Sequence, residues 1–481
     1  LGRYALNCNT TGDYNFAAGL CSNFRAVSGE NNISIGQMSL VGAVNSGASF
    51  NIALGQCALY SNTGHSNTAL GRFALCGNTT GGYNTAIGCR ALFNSLSGTN
   101  NFAAGVCALY SNWGGSYNTA IGPQAMCGNT TGLYNNAIGN AALKENTTGC
   151  YNNAMGEQAL YYNTTGKCNT AIGQYALYGN TTGYANNAIG AHALRCNTTG
   201  LYNNAMGAMA LYGSLSGSHN FAGGYGALCS NWGGGYNTAI GCEALKSNTT
   251  GCNNAAIGQN ALRANTEGNY NNALGTQALY SNTSGCHNNA IGWSALLSNT
   301  TGTYNTALGQ QALYNNTEGT NNQAIGYYAL QGNSTGCYNN AIGRDALYAN
   351  TTGCFNAAIG WRALATNTTG CNNVAIGNRP MDQNITGSCN VAIGFQPLFY
   401  NATGGYNVAL GSQALYSNKV GSHNVGMGWQ SLYANTSGDY NASIGYRNLC
   451  SNTEGDHNTA IGHSALQNNT TASHNAAIGA S

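Results

Sequence analysis

From Gly71 to Gly479 a glycine recurs every 17 residues without a slip, through 24 equal steps. A period this short marks a solenoid, in which each repeat is one coil whose apolar face is covered only by the next copy. Gly2, Gly19 and Gly36 keep the same step, whereas Gly36 to Gly55 spans 19 residues and Gly55 to Gly71 spans 16. The 29 marker glycines enclose 28 coils of the form G-x-x-A-L-Y-x-N-T-T-G-x-Y-N-N/T-A-I, as at Gly122 to Ile138. The expected fold is all-β: a rod-shaped parallel β-solenoid forming a single continuous repeat domain over residues 1–481, with irregular coils around 37–71. At ~4.8 Å per coil the stack would be about 130 Å long. The chain opens and stops within a repeat, so it is expected to be a segment of a longer protein.

Composition excludes several alternatives. Of 481 residues 70 are glycine but only 3 are proline, which rules out collagen and proline-rich linkers. Only 5% are charged and the net charge is +2, so neither nucleic acid nor membrane insertion is expected of this segment. Glycine, asparagine and threonine recur too often for helix. The period predicts two short strands per coil, around N-T-A-I-G and A-L-Y.

Glycine stands ten residues after the marker in 25 of 28 coils, as at Gly132, Gly149 and Gly166, which suits a corner with positive φ. Asparagine stands seven after it in 24 of 28. In register those side chains would form an amide ladder. Asn78, Asn129, Asn146, Asn163, Asn180, Asn197, Asn248, Asn299, Asn350 and Asn367 are also formal N-glycan acceptors, so each is either a ladder member or a glycosylation site.

The residue before the marker is nearly always Ile, Leu or Met, but it is Ala18, Ala104 and Gly223 in three coils. In those coils alone the position two earlier is Phe16, Phe102 and Phe221. Residues two apart on a strand share a face, so the ring refills volume its neighbour lost. Such compensation is expected in a packed core, which would point the isoleucine column inward and the alanine and glycine of A-I-G outward as a lateral contact surface.

Nineteen cysteines fall in columns. Cys337, Cys354 and Cys371 lie eleven after successive markers and Cys389 twelve after, close enough in a stack for a disulfide ladder in an oxidising, extracellular setting. No C-x-x-C occurs, so metal binding is not expected. Tyrosines form columns five and twelve after the marker, including Tyr134, Tyr151 and Tyr304 in the second. Exposed aromatic rows can bind sugars, though they more often stack along a sheet. His192, His219, His287, His423, His457 and His474 sit in turn positions without partnered carboxylates, so no catalytic, cofactor-binding or metal residues are expected and the chain is not read as an enzyme.

The segments N-T-A-I-G-x-x-A-L at Asn84 to Leu92 and Asn169 to Leu177 resemble the A-I-G-x-x-A repeats of YadA-like trimeric autotransporter adhesin heads. They are also similar to the N-T-A-I-G repeat arrays of phage and large-virus fibre proteins. That resemblance spans the whole chain and implies a left-handed β-roll in a homo-oligomer, usually a trimer, at a cell or virion surface. The expected function is a structural extracellular fibre or adhesin shaft, assembling laterally with end-to-end assembly as a further option, with itself as first partner and a cell-surface or polysaccharide receptor as a further one. The rival is a ligand-binding solenoid that recognises polysaccharide or ice through regular Asn, Thr and Tyr ladders.

Overall fold

The computed structural model describes residues 2–43 and 46–480. Val44 and Asn45, within the irregular stretch around 37–71, lie outside the described residues. The chain forms two compact units, residues 1–237 and 238–481, and each is an all-β parallel solenoid. Strands run from Phe16–Ala18 to Phe221–Gly223 in the first unit and from Thr238–Ile240 to Ala476–Ala480 in the second. No helix occurs among the described residues, and so none is long and apolar enough to cross a membrane.

Within each unit, strands pair in parallel with the next, one coil on: Ala120 faces Ala137 in the first unit and Ala239 faces Ala256 in the second. The irregular steps leave this register intact, because Ser34 faces Ala53 and Ala53 faces Ala69. The added and missing residues are absorbed outside the strands.

Only one strand forms per coil, three to five residues long and centred on the alanine of A-I-G. The second strand expected around A-L-Y is absent among the described residues. Two side-chain-bearing residues flanking the buried alanine there are left-handed, as at Gln124 (φ 57°) and Met126 (φ 50°), and alternate left-handed residues coil the chain instead of extending it. A third lies at Tyr134 (φ 57°). That residue, and not Gly132, supplies the corner's positive φ. The glycine is required by space: a Cβ on Gly132 would lie 2.5 Å from Asn129 Oδ1. The marker itself is left-handed at Gly122 (φ 126°), where a Cβ would lie 2.5 Å from the Gly139 carbonyl oxygen.

The core is narrow. Per coil it holds two alanines, one leucine or methionine and two asparagines, as at Ala120, Ala125, Met126, Asn129 and Asn135. The expected orientation of the strand is thereby reversed: Ala120 is fully buried while Ile121 is 38% exposed. Phe16 and Phe102 are 50% and 37% exposed, and the ring of Phe221 also lies on the outer face. The cause is the cross-section of the coil, which leaves room opposite the core leucine for a side chain of alanine or serine size, as at Ala120 and the buried Ser34 and Ser443. Gly426 shows the limit, since a methyl there would sit 3.2 Å from Leu415 Cγ and 3.3 Å from the Ser431 carbonyl.

Candidate functional site

With so little apolar volume inside, polar ladders take over much of the cohesion. In the expected ladder Asn146 Nδ2 donates to Asn129 Oδ1 at 2.8 Å and to its own coil's Gly149 carbonyl at 3.0 Å. The sequon asparagines Asn78, Asn129, Asn146, Asn163, Asn180, Asn197, Asn248, Asn299, Asn350 and Asn367 are all fully buried. Of the two expected roles they take the ladder, since a glycan on a buried Nδ2 is incompatible with this packing.

A second ladder lies just before the strands. Asparagine precedes every one of the 28 strands, including the irregular ones, so it is more constant than the first ladder. Asn152 shows the pattern: its backbone N–H donates to Asn135 Oδ1 at 3.0 Å, and its Nδ2 donates to the same oxygen at 3.1 Å and to the Gly166 carbonyl at 2.8 Å. The Asn152 carboxamide, whose Oδ1 also accepts the Asn169 N–H at 3.1 Å, therefore joins three coils and has every polar atom satisfied.

Threonines eight after the marker bond outside the core. Thr147 Oγ1 donates to the Thr164 carbonyl at 3.0 Å and Thr164 Oγ1 to the Thr181 carbonyl at 3.1 Å. Their hydroxyl protons are spent on the neighbouring coil and do not point to solvent as a lattice.

Cys337, Cys354, Cys371 and Cys389 are free thiols, which corrects the expected disulfide ladder. The sulfurs of the first three are turned to the backbone: the Cys337 N–H donates to Cys354 Sγ at 3.1 Å, and Cys354 Sγ–H donates to the Thr352 carbonyl at 3.4 Å. The next pair repeats this, with Cys354 N–H on Cys371 Sγ at 3.2 Å. Burial pushes the Cys354 thiol above its usual range, and burial together with neighbouring Cys57 pushes Cys76 up to about 11. Such thiols are poor nucleophiles at neutral pH.

The tyrosines twelve after the marker are exposed and stack on one another. Tyr117, Tyr134 and Tyr151 have ring centroids 4.9 and 5.1 Å apart with planes within 6°. The histidines belong to the same columns. His287 is stacked between Tyr270 and Tyr304 at 4.9 and 4.8 Å, and Tyr406, His423, Tyr440, His457 and His474 form one unbroken stack. His219 bridges Tyr202 and Tyr236, while His192 stacks on Tyr175 nearer the marker. These separations match the β-spacing that joins one coil to the next.

The outward strand positions make the most uniform surface. One column is Ile, Leu or Met except at Ala18, Ala104 and Gly223, the other is mostly Thr, Asn, Val or Ala, and no Asp, Glu, Lys or Arg occupies either in any coil. In the second unit Ile257, Leu274, Ile291 and Leu308 line a shallow groove of about 450 Å³ along this ribbon. The compensating phenylalanines belong here: the Phe221 ring lies 3.5 Å from where a Cβ of Gly223 would stand. The sequence had exposed this pairing but not its side of the strand.

Compared with known proteins, the chain matches no family model and no curated sequence.

Proposed function

We propose that this chain is a structural fibre shaft, of the kind found on cell or virion surfaces, whose coils assemble laterally with copies of the same chain through the uncharged outer ribbon. One observation carries the reading. Phe replaces a small residue only where the neighbouring column loses its aliphatic side chain, at Phe16/Ala18, Phe102/Ala104 and Phe221/Gly223. Water does not select for such compensation on a free surface, whereas a packed partner does. A partner that meets the ribbon coil after coil needs the same spacing of ~4.8 Å, and a second copy of this solenoid has it.

The energetics are compatible with association only along many coils. Burying the exposed two-fifths of an isoleucine such as Ile257 or Ile291 is worth about 0.6–1.2 kcal/mol, from ~1.5–3 kcal/mol for a whole side chain. Ten outward strand aliphatics in the second unit are 37% exposed or more, giving roughly 6–12 kcal/mol against an association cost of ~4–15 kcal/mol. The ice-binding alternative is weakened by the threonine rows, whose hydroxyls donate to neighbouring carbonyls.

The test is the mass of the full chain in solution, with and without lysine on the ribbon. Ile257→Lys with Ile291→Lys should convert an oligomer to monomer, while Tyr134→Lys on the aromatic column should leave the oligomer intact. A wild-type chain that stays monomeric at micromolar concentration, or an oligomer indifferent to the ribbon lysines, would refute the proposal.

A further inference from the structure

In the second unit, the column five residues after the marker runs Tyr348, Ala365, Asp382, Phe399, Tyr416 and Tyr433. From Phe399 onward the rings stack, with centroids 5.3 and 5.2 Å apart. At Ala365 the ring is missing, and the gap opens a groove of about 490 Å³ between Tyr328, Tyr348, Arg344, Arg362 and Thr366. That volume falls within the ~300–1,000 Å³ of small-molecule sites.

Charge is concentrated at the same place in a chain that is only 5% charged. Asp382 is fully buried, and two guanidinium groups meet its carboxylate. Arg362 uses Nη2 at 2.9 Å and Nε at 3.2 Å, and Arg379 uses Nε at 2.6 Å. One carboxylate between two arginines leaves a surplus positive charge beside the groove. Because Arg362 spends Nε and Nη2 on Asp382, its Nη1 group remains uncommitted. On the neighbouring coil Arg344 is 67% exposed, with Nε 3.3 Å from Asp345 Oδ2. The Asp382 clamp is accounted for by the burial of a carboxylate. The groove beside Ala365 and the exposed Arg344 next to Asp345 are not.

We propose that this groove binds an anionic pyranose, a sugar unit bearing one carboxylate within an acidic polysaccharide. Tyr348, edge to face with Tyr328 at a centroid distance of 6.2 Å, is exposed and offers ring surface to the C–H face of a sugar. Arg362 Nη1 and the exposed Arg344 guanidinium supply donors for a carboxylate. Asp345 accepts from sugar hydroxyls, and it disfavours a doubly charged phosphate where the surplus is a single positive charge. The site lies on a corner, away from the strand ribbon, so a shaft assembled through that ribbon would still present it. The inference does not depend on lateral assembly.

The test is calorimetric titration of the full chain with a uronate trisaccharide, its methyl ester and acetate. Saturable binding is expected for the trisaccharide, weakened about tenfold or more by Arg344→Gln, by Tyr348→Leu and by esterification of the sugar carboxyls. Tyr433→Leu, farther along the column, should bind as the wild type does. Absence of saturation at millimolar trisaccharide, equal binding of the methyl ester or of acetate, or indifference to both Arg344→Gln and Tyr348→Leu would each overturn the assignment. Light scattering on the same samples reads assembly separately, so failure of the site and failure of the fibre reading give different results.

Discussion

Asn305 is a mid-ladder residue at which the worth of the pre-strand asparagines can be measured. Its Nδ2 donates to the Gly319 carbonyl at 2.8 Å, and its Oδ1 accepts the backbone N–H of Asn322 at 3.0 Å. In Asn305→Ala the Gly319 carbonyl keeps the Asn316 amide at 3.0 Å, and the Asn322 side chain keeps the Gly336 carbonyl at 2.8 Å. The Asn322 N–H, by contrast, loses its acceptor inside a fully buried residue. An orphaned buried donor costs ~1–3 kcal/mol, so local opening should become roughly 5- to 150-fold more frequent. Stability in a solenoid is carried by nearest-neighbour terms, which keeps the effect local. Hydrogen exchange read by mass spectrometry should therefore speed up by that factor over residues 306–340 and little over 425–441. Thr303→Ala, at an outer corner, serves as the control and should change nothing beyond ~0.5 kcal/mol. Unchanged exchange over 306–340, or an equal rise throughout the second unit, would refute the reasoning.

Three further outcomes are expected. Gly122→Ala forces a side chain onto φ 126° and against the Gly139 carbonyl, so it should open its coils by several kcal/mol, seen as lost protection at Gly139. Gly233→Ala, at an exposed glycine with open space around the new methyl and ordinary φ, should leave melting unchanged or raise stability by ~0.4–1 kcal/mol. Cys76, pushed up to about 11, should be about 0.1% thiolate at pH 8 and react with iodoacetamide about tenfold faster per pH unit up to that value; a plateau near pH 9, followed by peptide mass mapping, would contradict this.

The period, the number of coils and the parallel stacking were legible because a solenoid repeats its sequence with its structure. The first asparagine ladder was legible for the same reason. The direction of the strand was not. Alternation shows that Ile121 and Thr119 share a face but carries no sign, and hydropathy favours the wrong one because Ile is more apolar than Ala. What decides is the coil's width, set by Leu and Asn side chains that meet only in three dimensions. The left-handed residues were equally hidden: Gln124, Met126 and Tyr134 are ordinary amino acids with no local preference for φ > 0. Gly132 drew attention to the corner, yet it serves a close approach and not a dihedral. The pre-strand asparagines were visible, being present in all 28 repeats, but without coordinates nothing separated them from the ordinary asparagine of a turn. At the groove, the loss of a ring at Ala365 and the pairing of Asp382 with Arg362 and Arg379 could have been found by reading the column five after the marker for exceptions.

Along most of both asparagine ladders the amides align head to tail, with Nδ2 donating to the Oδ1 of the preceding coil, as at Asn146, Asn152, Asn163 and Asn169. Aligned dipoles reinforce one another, and they give the ladder a direction. Wherever such a row is interrupted, one break displays hydrogens and the other displays lone pairs. Two breaks of the same kind repel, and unlike ones complete the row. Any longitudinal union of these coils is thus polar by chemistry, with all chains in it pointing the same way.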